Sequence, residues 1–398
     1  MTTARRSAGA REHVLLRRCA RARLTPEDAA ALRAELADHP DWDALVDAAI
    51  EHGVAPLLYR HLDALRDMCF DSVPAGPLDR LRAEHALTVA RNLRLAGELR
   101  RILSALTVRG VAALPYKGPV LAADVYGDVA LRCFADLDIL IAARDLPASR
   151  DVIAALGYEQ EHARTPAQER QLLRTGNEES LVRGDDKVEL QWCVAKDIFG
   201  VRITFDDLWP RHVTTMLGGA PVPTLANEDL LLVLCVHGSS HAWDRLIWIT
   251  DVAELLRRTK GPYSPALDWE RVCHAARDAR AERALRLGVT LARELLDAPL
   301  PPEIARWASA DASLPGLVSE VRRELSGEAS GMRSIRVHLR VRETVRDKAR
   351  FVVRALFTPA PADWSALPLP DGLHPLYHVI RPLRLVAKYG ALAMRRFS

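Results

Sequence analysis

The fold class of this chain follows from the stretch Asp136-Leu137-Asp138-Ile139-Leu140-Ile141. Two carboxylates open a short apolar run, which is typical of a strand whose first residues lie at the edge of a sheet. Side chains at i and i+2 of a strand point to the same face, so Asp136 and Asp138 project together while Leu137 and Ile139 point into the core. The sequence therefore predicts a buried strand that presents paired acids.

Two more strands are expected on either side of this one. Residues 111–116 are apolar and bounded by Gly110 and Gly118, and Pro115 indicates an edge position or the end of the strand. Residues 187–192 alternate in character and give the third strand. Helical spacing of apolar residues and the start signal at Thr25 predict helices up to about residue 37 and over 42–51, 78–108, 120–126, 144–156, 228–241, 246–258 and 268–296.

These elements indicate an α+β protein, with a small mixed β-sheet core and extensive flanking helices. The predicted organisation has an N-terminal helical segment at 1–85, a sheet core at 86–215, a helical domain at 216–330 that closes a cleft, and a basic C-terminal segment at 331–398. The C-terminal segment holds 13 Lys and Arg against four Asp and Glu, although the whole chain carries a formal net charge of only +3. Such a segment either contacts a polyanion or forms a solvated arginine-rich helix.

The cysteines predict reduced thiols. They are scattered, with no CxxC pair and no zinc-like spacing, which fits a cytoplasmic protein. The N-terminus has no apolar segment of the kind found in signal peptides, and no run of about 18 apolar residues predicts a membrane span. The six positions are Cys19, Cys69, Cys133, Cys193, Cys235 and Cys273.

The paired acids predict a site for a hard divalent cation. Two adjacent carboxylates repel each other unless a positive charge lies between them, and Mg²⁺ or Mn²⁺ with oxygen ligands meets that need. Lys117-Gly118 precedes a predicted helix, where backbone and helix N-terminus attract phosphate. Glu189 on the third strand supplies a third acid for a two-metal site. The alternative is a set of solvated strand and turn acids.

His237 and His241 are spaced i, i+4 on a predicted helix. The same spacing occurs in zinc proteases, but Gly238, Ser239 and Ser240 stand between them, so the glutamate base of that motif is missing. The residues themselves leave two interpretations, a zinc pair and, more in keeping with the missing glutamate, structural histidines.

The whole pattern resembles the uncharacterised nucleotidyltransferase family of the polymerase-β-like nucleotidyltransferase superfamily. The resemblance covers most of the chain. It is carried by residues 52–59, Tyr116-Lys117-Gly118-Pro119-Val120-Leu121, Tyr126, Arg132, residues 136–141, Leu156-Gly157-Tyr158, Val188-Glu189-Leu190-Gln191-Trp192, His237-Gly238, His241, Trp243, Arg245, Trp248, Asp251, Leu376-Tyr377 and Arg381-Pro382-Leu383-Arg384.

The resemblance implies metal-dependent transfer of a nucleoside monophosphate from a nucleoside triphosphate to an unknown acceptor. ATP is the first choice of nucleotide only because it is abundant. The acceptor is a small molecule, peptide, protein or RNA. Asp136, Asp138 and Glu189 would be catalytic and hold Mg²⁺ or Mn²⁺. The residues expected to bind the nucleotide are Lys117, Gly118, Arg132, His237, His241 and Arg245.

Three positions depart from the usual pattern. The superfamily usually has Gly-Ser in the turn before its acidic pair, where this chain has Lys117-Gly118-Pro119, and the gap from Gly118 to Asp136 is longer than usual. Relatives often carry His where Gln191 stands. Two other functions stay open: an inactive nucleotide- or RNA-binding protein on the same scaffold, and a toxin-like enzyme that modifies tRNA.

Overall fold

A five-stranded mixed sheet lies at the centre of the molecule, in the strand order β1-β2-β5-β4-β3. Only β2 and β5 are parallel, and the other neighbours are antiparallel. A separate antiparallel hairpin is formed by β6 and β7. The computed structural model describes residues 9–65, 73–258, 266–327 and 333–394. The strands are β1 (Ala113–Pro115), β2 (Asp136–Ile141), β3 (Glu159–Gln160), β4 (Glu178–Arg183), β5 (Asp186–Gln191), β6 (Val213–Leu217) and β7 (Ala220–Thr224).

Helices surround this sheet and form most of the remaining structure, which confirms the predicted α+β class. They are α1 (Ala10–Cys19), α2 (Pro26–Leu36), α3 (Trp42–Glu51), α4 (Ala55–Leu65), α5 (Ala75–Val108), α6 (Gly118–Val125), α7 (Leu146–Ala155), α8 (Pro166–Thr175), α9 (Phe205–Leu208), α10 (Asn227–Ser240), α11 (Leu246–Arg258), α12 (Trp269–Asp278), α13 (Glu282–Leu296), α14 (Pro302–Ser309), α15 (Leu314–Leu325), α16 (Arg333–Val341), α17 (Val345–Phe357), α18 (Pro361–Ala366) and α19 (Tyr377–Met394).

The two faces of the sheet differ because side chains alternate along each strand. Leu137 and Ile139 of β2 and Val188 and Leu190 of β5 are buried on one face, in a core that also contains the apolar side of α5. The register pairs Asp138 of β2 with Glu189 of β5. Neighbours in register share a face, so the acids of both strands lie opposite this core. Burial of the apolar face thereby fixes the direction of the carboxylates.

The turn between β1 and α6 depends on Gly118. Its φ is +57°, a conformation that side chains strongly disfavour, and a Cβ atom there would lie 3.2 Å from the backbone oxygen of Asp136. The glycine therefore lets the start of α6 approach the first residue of β2. Pro115 is the last residue of β1, which is an edge strand, as its sequence position predicts.

The end of α10 folds back on itself around Trp243, which is fully buried. A Cβ atom on Gly238 would lie 2.3 Å from the Trp243 ring, so only glycine leaves room for the indole against the helix. Ala242 and Trp243 both have positive φ, which makes the reversal tight. This turn separates α10 from α11 and places His241 at the end of α10.

The single long helix predicted over 268–296 is wrong. The structure has two helices there, α12 and α13, because Arg280 adopts φ +57° and breaks the helical path. The amide of Ala281 donates a 2.8 Å hydrogen bond to the carbonyl of Ala276, which closes the end of α12. No glycine or proline marks this break in the sequence, so local propensity could not reveal it.

The C-terminal segment packs on the rest of the chain, and several of its arginines form ion pairs within the molecule. Arg340 lies 2.7 Å from Glu320, and Arg354 lies 2.8 Å from Asp197. Arg381 and Arg384 both contact the carboxylate of Asp363, which is fully buried. These contacts neutralise part of the positive charge that the sequence concentrates here.

Two other predictions concern thiols and membrane spans. Of the six cysteines, Cys69 lies outside the described residues, and the other five are free. Among the residues that the structure describes, no helix has both the length and the apolar character needed to cross a membrane.

Candidate active site

One cavity of about 450 Å³ collects most of the residues that the sequence singles out. One wall is the acidic face of β2 and β5, and the other is formed by the end of α10 and the start of α11. Gly118, at the start of α6, does not line the cavity, but its backbone approaches that of Asp136. The lining includes Lys117, Arg132, Asp136, Asp138, Glu189, His237, His241 and Arg245.

Asp138 is the most enclosed of the three acids, and two neighbours satisfy it. The Lys117 ammonium lies 2.7 Å from Asp138 Oδ1, and Gln191 Nε2 donates to the same oxygen at 2.8 Å. Gln191 is itself held by a hydrogen bond from the hydroxyl of Tyr116. Burial by itself lowers the pKa of Lys117, but the charge and hydrogen bond of Asp138 outweigh that effect and raise it above its usual value. The Lys117 ammonium group is therefore the counter-ion of the Asp138 carboxylate.

The other two acids leave negative charge in excess. Burial, followed by the neighbouring charge of Asp138, raises the pKa of Asp136 to about 6. Glu189 is half-buried and lies 2.9 Å from Lys187, which stands two residues earlier on the same face of β5. Three carboxylates thus share one face with two lysines, and Asp136 has neither lysine within 4 Å.

The opposite wall presents aromatic and imidazole rings. The rings of His237 and His241 lie 4.6 Å apart, and His241 lies 4.7 Å from the indole of Trp248. Desolvation, followed by the charge of Lys117, lowers the pKa of both histidines, for His241 to about 4. Both imidazoles are therefore neutral near pH 7, and both pack against the indole of Trp248. Arg245 adds an exposed cation to this wall.

Arg132 reaches the cavity, but an internal partner holds its guanidinium. Its Nε and Nη2 donate to the two carboxylate oxygens of Asp251 at 2.7 and 2.8 Å. The hydroxyl of Tyr126 donates to the same carboxylate at 2.6 Å. Asp251 thereby joins the sheet core to α11. The guanidinium group of Arg132, which was expected to bind the nucleotide, is thus occupied by the carboxylate of Asp251.

The carboxylates have the right chemistry for a hard divalent cation, because all their donors are ionisable oxygens. Their side chains are not yet gathered around one point: within the described ranges, no group of three or more His, Cys, Asp or Glu residues has an arrangement that could hold a metal. The contact between Lys117 and Asp138 accounts for part of this, since it occupies the oxygen that a cation would bind.

Sequence reasoning missed several residues of the cavity. Gln191 was noted only as a departure from the family pattern, although alternation along β5 puts it on the face of Glu189. Lys187 lies on that face for the same reason and pairs with Glu189, although it does not line the cavity itself. Asn177 and Glu178 come from β4 and the residue before it, a strand that was not predicted, so no sequence signal pointed to them.

Comparison with known proteins gives a family match over the part of the chain that forms the cavity. No curated protein and no solved structure shows significant similarity to it. A family model described as "Uncharacterised nucleotidyltransferase" matches residues 38–297, which include both walls of the cavity and stop before the C-terminal segment. Since this match covers more than half of the sequence, the chain belongs to the uncharacterised nucleotidyltransferase family.

Proposed function

We propose that the chain is a metal-dependent nucleotidyltransferase that moves a nucleoside monophosphate from a nucleoside triphosphate to a nucleophilic acceptor. The acceptor attacks the α-phosphorus, the bond to the β-phosphate oxygen breaks, and pyrophosphate leaves while the acceptor loses its proton to solvent. The observation that supports this most is the position of Asp136, Asp138 and Glu189 on one sheet face, facing a cavity.

The three acids would hold two ions, Mg²⁺ or Mn²⁺. The chemistry that such ions would supply is neutralisation of charge on the phosphate oxygens and a lower pKa for the attacking hydroxyl. Asp136 and Asp138 lie nearest to the turn of Gly118, so this side of the cavity suits the triphosphate. Glu189 lies on the neighbouring strand, towards β4, and this side suits the acceptor.

Lys117 would change partner during this cycle. In the structure it neutralises Asp138 across 2.7 Å. A cation that binds Asp138 competes with the ammonium group, and a triphosphate offers Lys117 a new anionic partner close by. The arrangement would thus bind metal and nucleotide together more tightly than either alone.

The second wall would position the nucleotide without adding much charge. His237 and His241 are neutral near pH 7, so they suit hydrogen bonds to ribose or base, and Trp248 offers a ring for stacking. Arg245 is the cation of this wall and has no ion-pair partner within 4 Å among the described residues. It is therefore available to a phosphate.

A second candidate is a nucleotide-binding protein without transferase activity. The observation that favours it is the satisfied state of Asp138, which has Lys117 and Gln191 as partners where a metal would bind. In that case, nucleotide would bind to the cavity without metal, and no product would form.

One experiment separates the two candidates. The purified protein is mixed with α-labelled ATP, GTP, CTP or UTP, with Mg²⁺ or Mn²⁺, and with fractions of a cell extract. Transfer of label to an acceptor, dependent on metal and lost in Asp138→Asn, supports the transferase. Nucleotide binding that is equal with and without metal, with no labelled product, supports the inactive protein.

A further inference from the structure

A second cavity of about 300 Å³ lies beside the catalytic one. It is enclosed by the end of α10, by α12 and α13, and by the C-terminal helices α16 and α17. The two cavities share Phe199 and Ser240 as lining residues, so they meet at a common wall. A volume of this size is sufficient for a small ligand.

The deepest charged group of this cavity is Arg342, which is only 8% exposed. Its guanidinium stacks 3.7 Å from the centre of the Phe351 ring and donates hydrogen bonds to the carbonyls of His338 and Ile198. Within the described part of the chain, no carboxylate lies within 4 Å of it. A buried cation of this kind is costly unless a negative charge compensates it. Burial lowers the pKa of Arg342 to about 10, and Asp347 offsets only part of that effect.

The rim of the cavity has more positive than negative charge. Arg277, Arg280 and Arg346 line it, against Glu343 and Asp347. The two pairings that the rim arginines make are loose: Arg280 lies 3.9 Å from Asp347, and Arg277 lies 3.9 Å from Glu282, which does not line the cavity. With Arg342 included, four guanidinium groups face two carboxylates.

The N-terminus of α17 adds to this positive field. Thr344 caps the helix by accepting a 3.1 Å hydrogen bond from the amide of Asp347, and Arg346 lies in the first turn. All three residues line the cavity. The partial positive charge of a helix N-terminus favours anions over the first turn. Arg342, the rim arginines and the end of α17 therefore act on the same space.

We propose that the Arg342 cavity is a second anion-binding site, distinct from the triphosphate position, that holds a phosphate or carboxylate group of the acceptor. The anion site stands on the cavity itself, whereas its role for the acceptor rests on the transferase function proposed above. The shared wall provides the connection: His338 lines the Arg342 cavity and its ring centre lies 5.4 Å from that of Phe199, which lines both cavities. An acceptor anchored by its anion in one cavity can extend its nucleophile into the other.

The site is tested first with inorganic phosphate, titrated calorimetrically into the full-length protein without metal or nucleotide. We expect saturable binding, weakened about tenfold or more in Arg342→Met and several-fold in the exposed Arg346→Gln, which should fold even if the first variant does not. Glu343→Gln should strengthen binding because it removes a rim carboxylate. Arg340→Gln is the matched control, since Arg340 lies on α16 but is paired with Glu320 outside the cavity, and it should bind as the wild type does.

Two results would overturn the site. One is an absence of saturable phosphate binding, and the other is equal affinity in the wild type and Arg346→Gln. Asp138→Asn distinguishes this cavity from the catalytic one, because it should lose metal-dependent nucleotide binding and keep phosphate binding. If phosphate instead binds more tightly to Asp138→Asn, as expected when the carboxylate beside Lys117 is removed, phosphate occupies the catalytic cavity and the proposal is wrong.

The acceptor role is tested by label transfer from an α-labelled nucleotide to the small-molecule fraction of a cell extract. Phosphate should inhibit competitively against that fraction, and Arg346→Gln should raise the apparent KM for it about tenfold while leaving nucleotide binding unchanged. Inhibition that no amount of the fraction relieves would refute the acceptor role. If the wild type binds phosphate but no nucleotide, the transferase function fails and the anion site remains.

Discussion

Two buried ion pairs, both between a cation of the sheet core and an aspartate, have different surroundings in this molecule. The side chains of Lys117 and Asp138 are 10% and 3% exposed, and those of Arg132 and Asp251 are 6% and 1% exposed. Burial therefore does not distinguish them. The difference lies in charge balance and in the aspartates, since Asp138 lines the cavity and Asp251 does not.

In the Arg132–Asp251 pair, the two charges balance and internal hydrogen bonds satisfy the carboxylate. Both oxygens of Asp251 accept from the guanidinium, and Tyr126 adds a third hydrogen bond. The Lys117–Asp138 pair lies beside two further acids, Asp136 and Glu189, on the wall of a cavity. A balanced buried pair connects elements, whereas a pair with uncompensated neighbours can exchange partners with a ligand. We therefore expect mutations of the two aspartates to have different consequences.

The largest expected effect is the loss of transfer in Asp138→Asn. The substitution removes one charge from the proposed metal site, and we expect labelled product to fall by about 10³-fold or more, with loss of metal-dependent nucleotide binding. Asp206→Asn, which changes an exposed carboxylate paired with Arg144, serves as the control and should be fully active. Wild-type rates in Asp138→Asn would remove this aspartate from the site.

Asp251→Asn should instead destabilise the fold. The change leaves a buried guanidinium without its charge partner, so the free energy of unfolding should fall by about 3–5 kcal/mol in urea denaturation. Asp229→Asn is a matched control, because Asp229 is also buried but its partners Arg211 and Arg271 are far more exposed, and a smaller loss is expected. If Asp251→Asn unfolds like the wild type but no longer binds nucleotide, the pair belongs to the catalytic machinery and the comparison fails.

His241→Ala tests the second wall. The variant removes a neutral imidazole from the cavity, and transfer should fall by about 10²-fold with an unchanged unfolding midpoint. His212→Ala removes an exposed imidazole that stacks on Trp209 outside the cavity, and should have no effect on transfer. Equal activity in both variants would leave His241 with a packing role only.

Lys117→Met separates metal binding from nucleotide binding. Without the ammonium group, Asp138 and its neighbours have a stronger need for a cation, so Mn²⁺ should bind about tenfold more tightly in the absence of nucleotide, while nucleotide binding weakens. Binding of Mn²⁺ is measured by its electron paramagnetic resonance signal. Lys196→Met, which removes a cavity lysine paired with Glu178, should change Mn²⁺ affinity much less. Weaker Mn²⁺ binding in Lys117→Met would contradict the exchange of partners.

The smallest effect is expected for the C-terminal segment. Arg354, Arg381 and Arg384 already have carboxylate partners, which reduces the number of cations that can release counterions from a long polyanion. Affinity for a labelled RNA, measured by fluorescence anisotropy, should change little between about 50 and about 200 mM salt. A steep fall over this range would show that the segment is a polyanion site, and that its internal pairs open on binding.

Much of the sheet was predictable because its signals are local. The apolar run after Asp138 and the alternation around Glu189 specify strands, and Pro115 marks the end of an edge strand. The break at Arg280 could not be predicted, because it depends on packing around buried alanines and not on a residue that disfavours helix. The strand β4 was also missed, and with it the cavity residue Glu178.

The sequence by itself determined that Asp136 and Asp138 share a face, since side chains on a strand alternate and the apolar partners must be buried. It also determined that glycine stands at 118 and 238, where the backbone turns or a ring packs closely. Only the tertiary structure decided which cation meets which acid. Lys117 is 21 positions from Asp138 and Arg132 only six, yet Asp138 contacts Lys117, while Arg132 contacts Asp251 on a distant helix. Coulomb attraction acts on distance in space, and chain folding alone sets that distance.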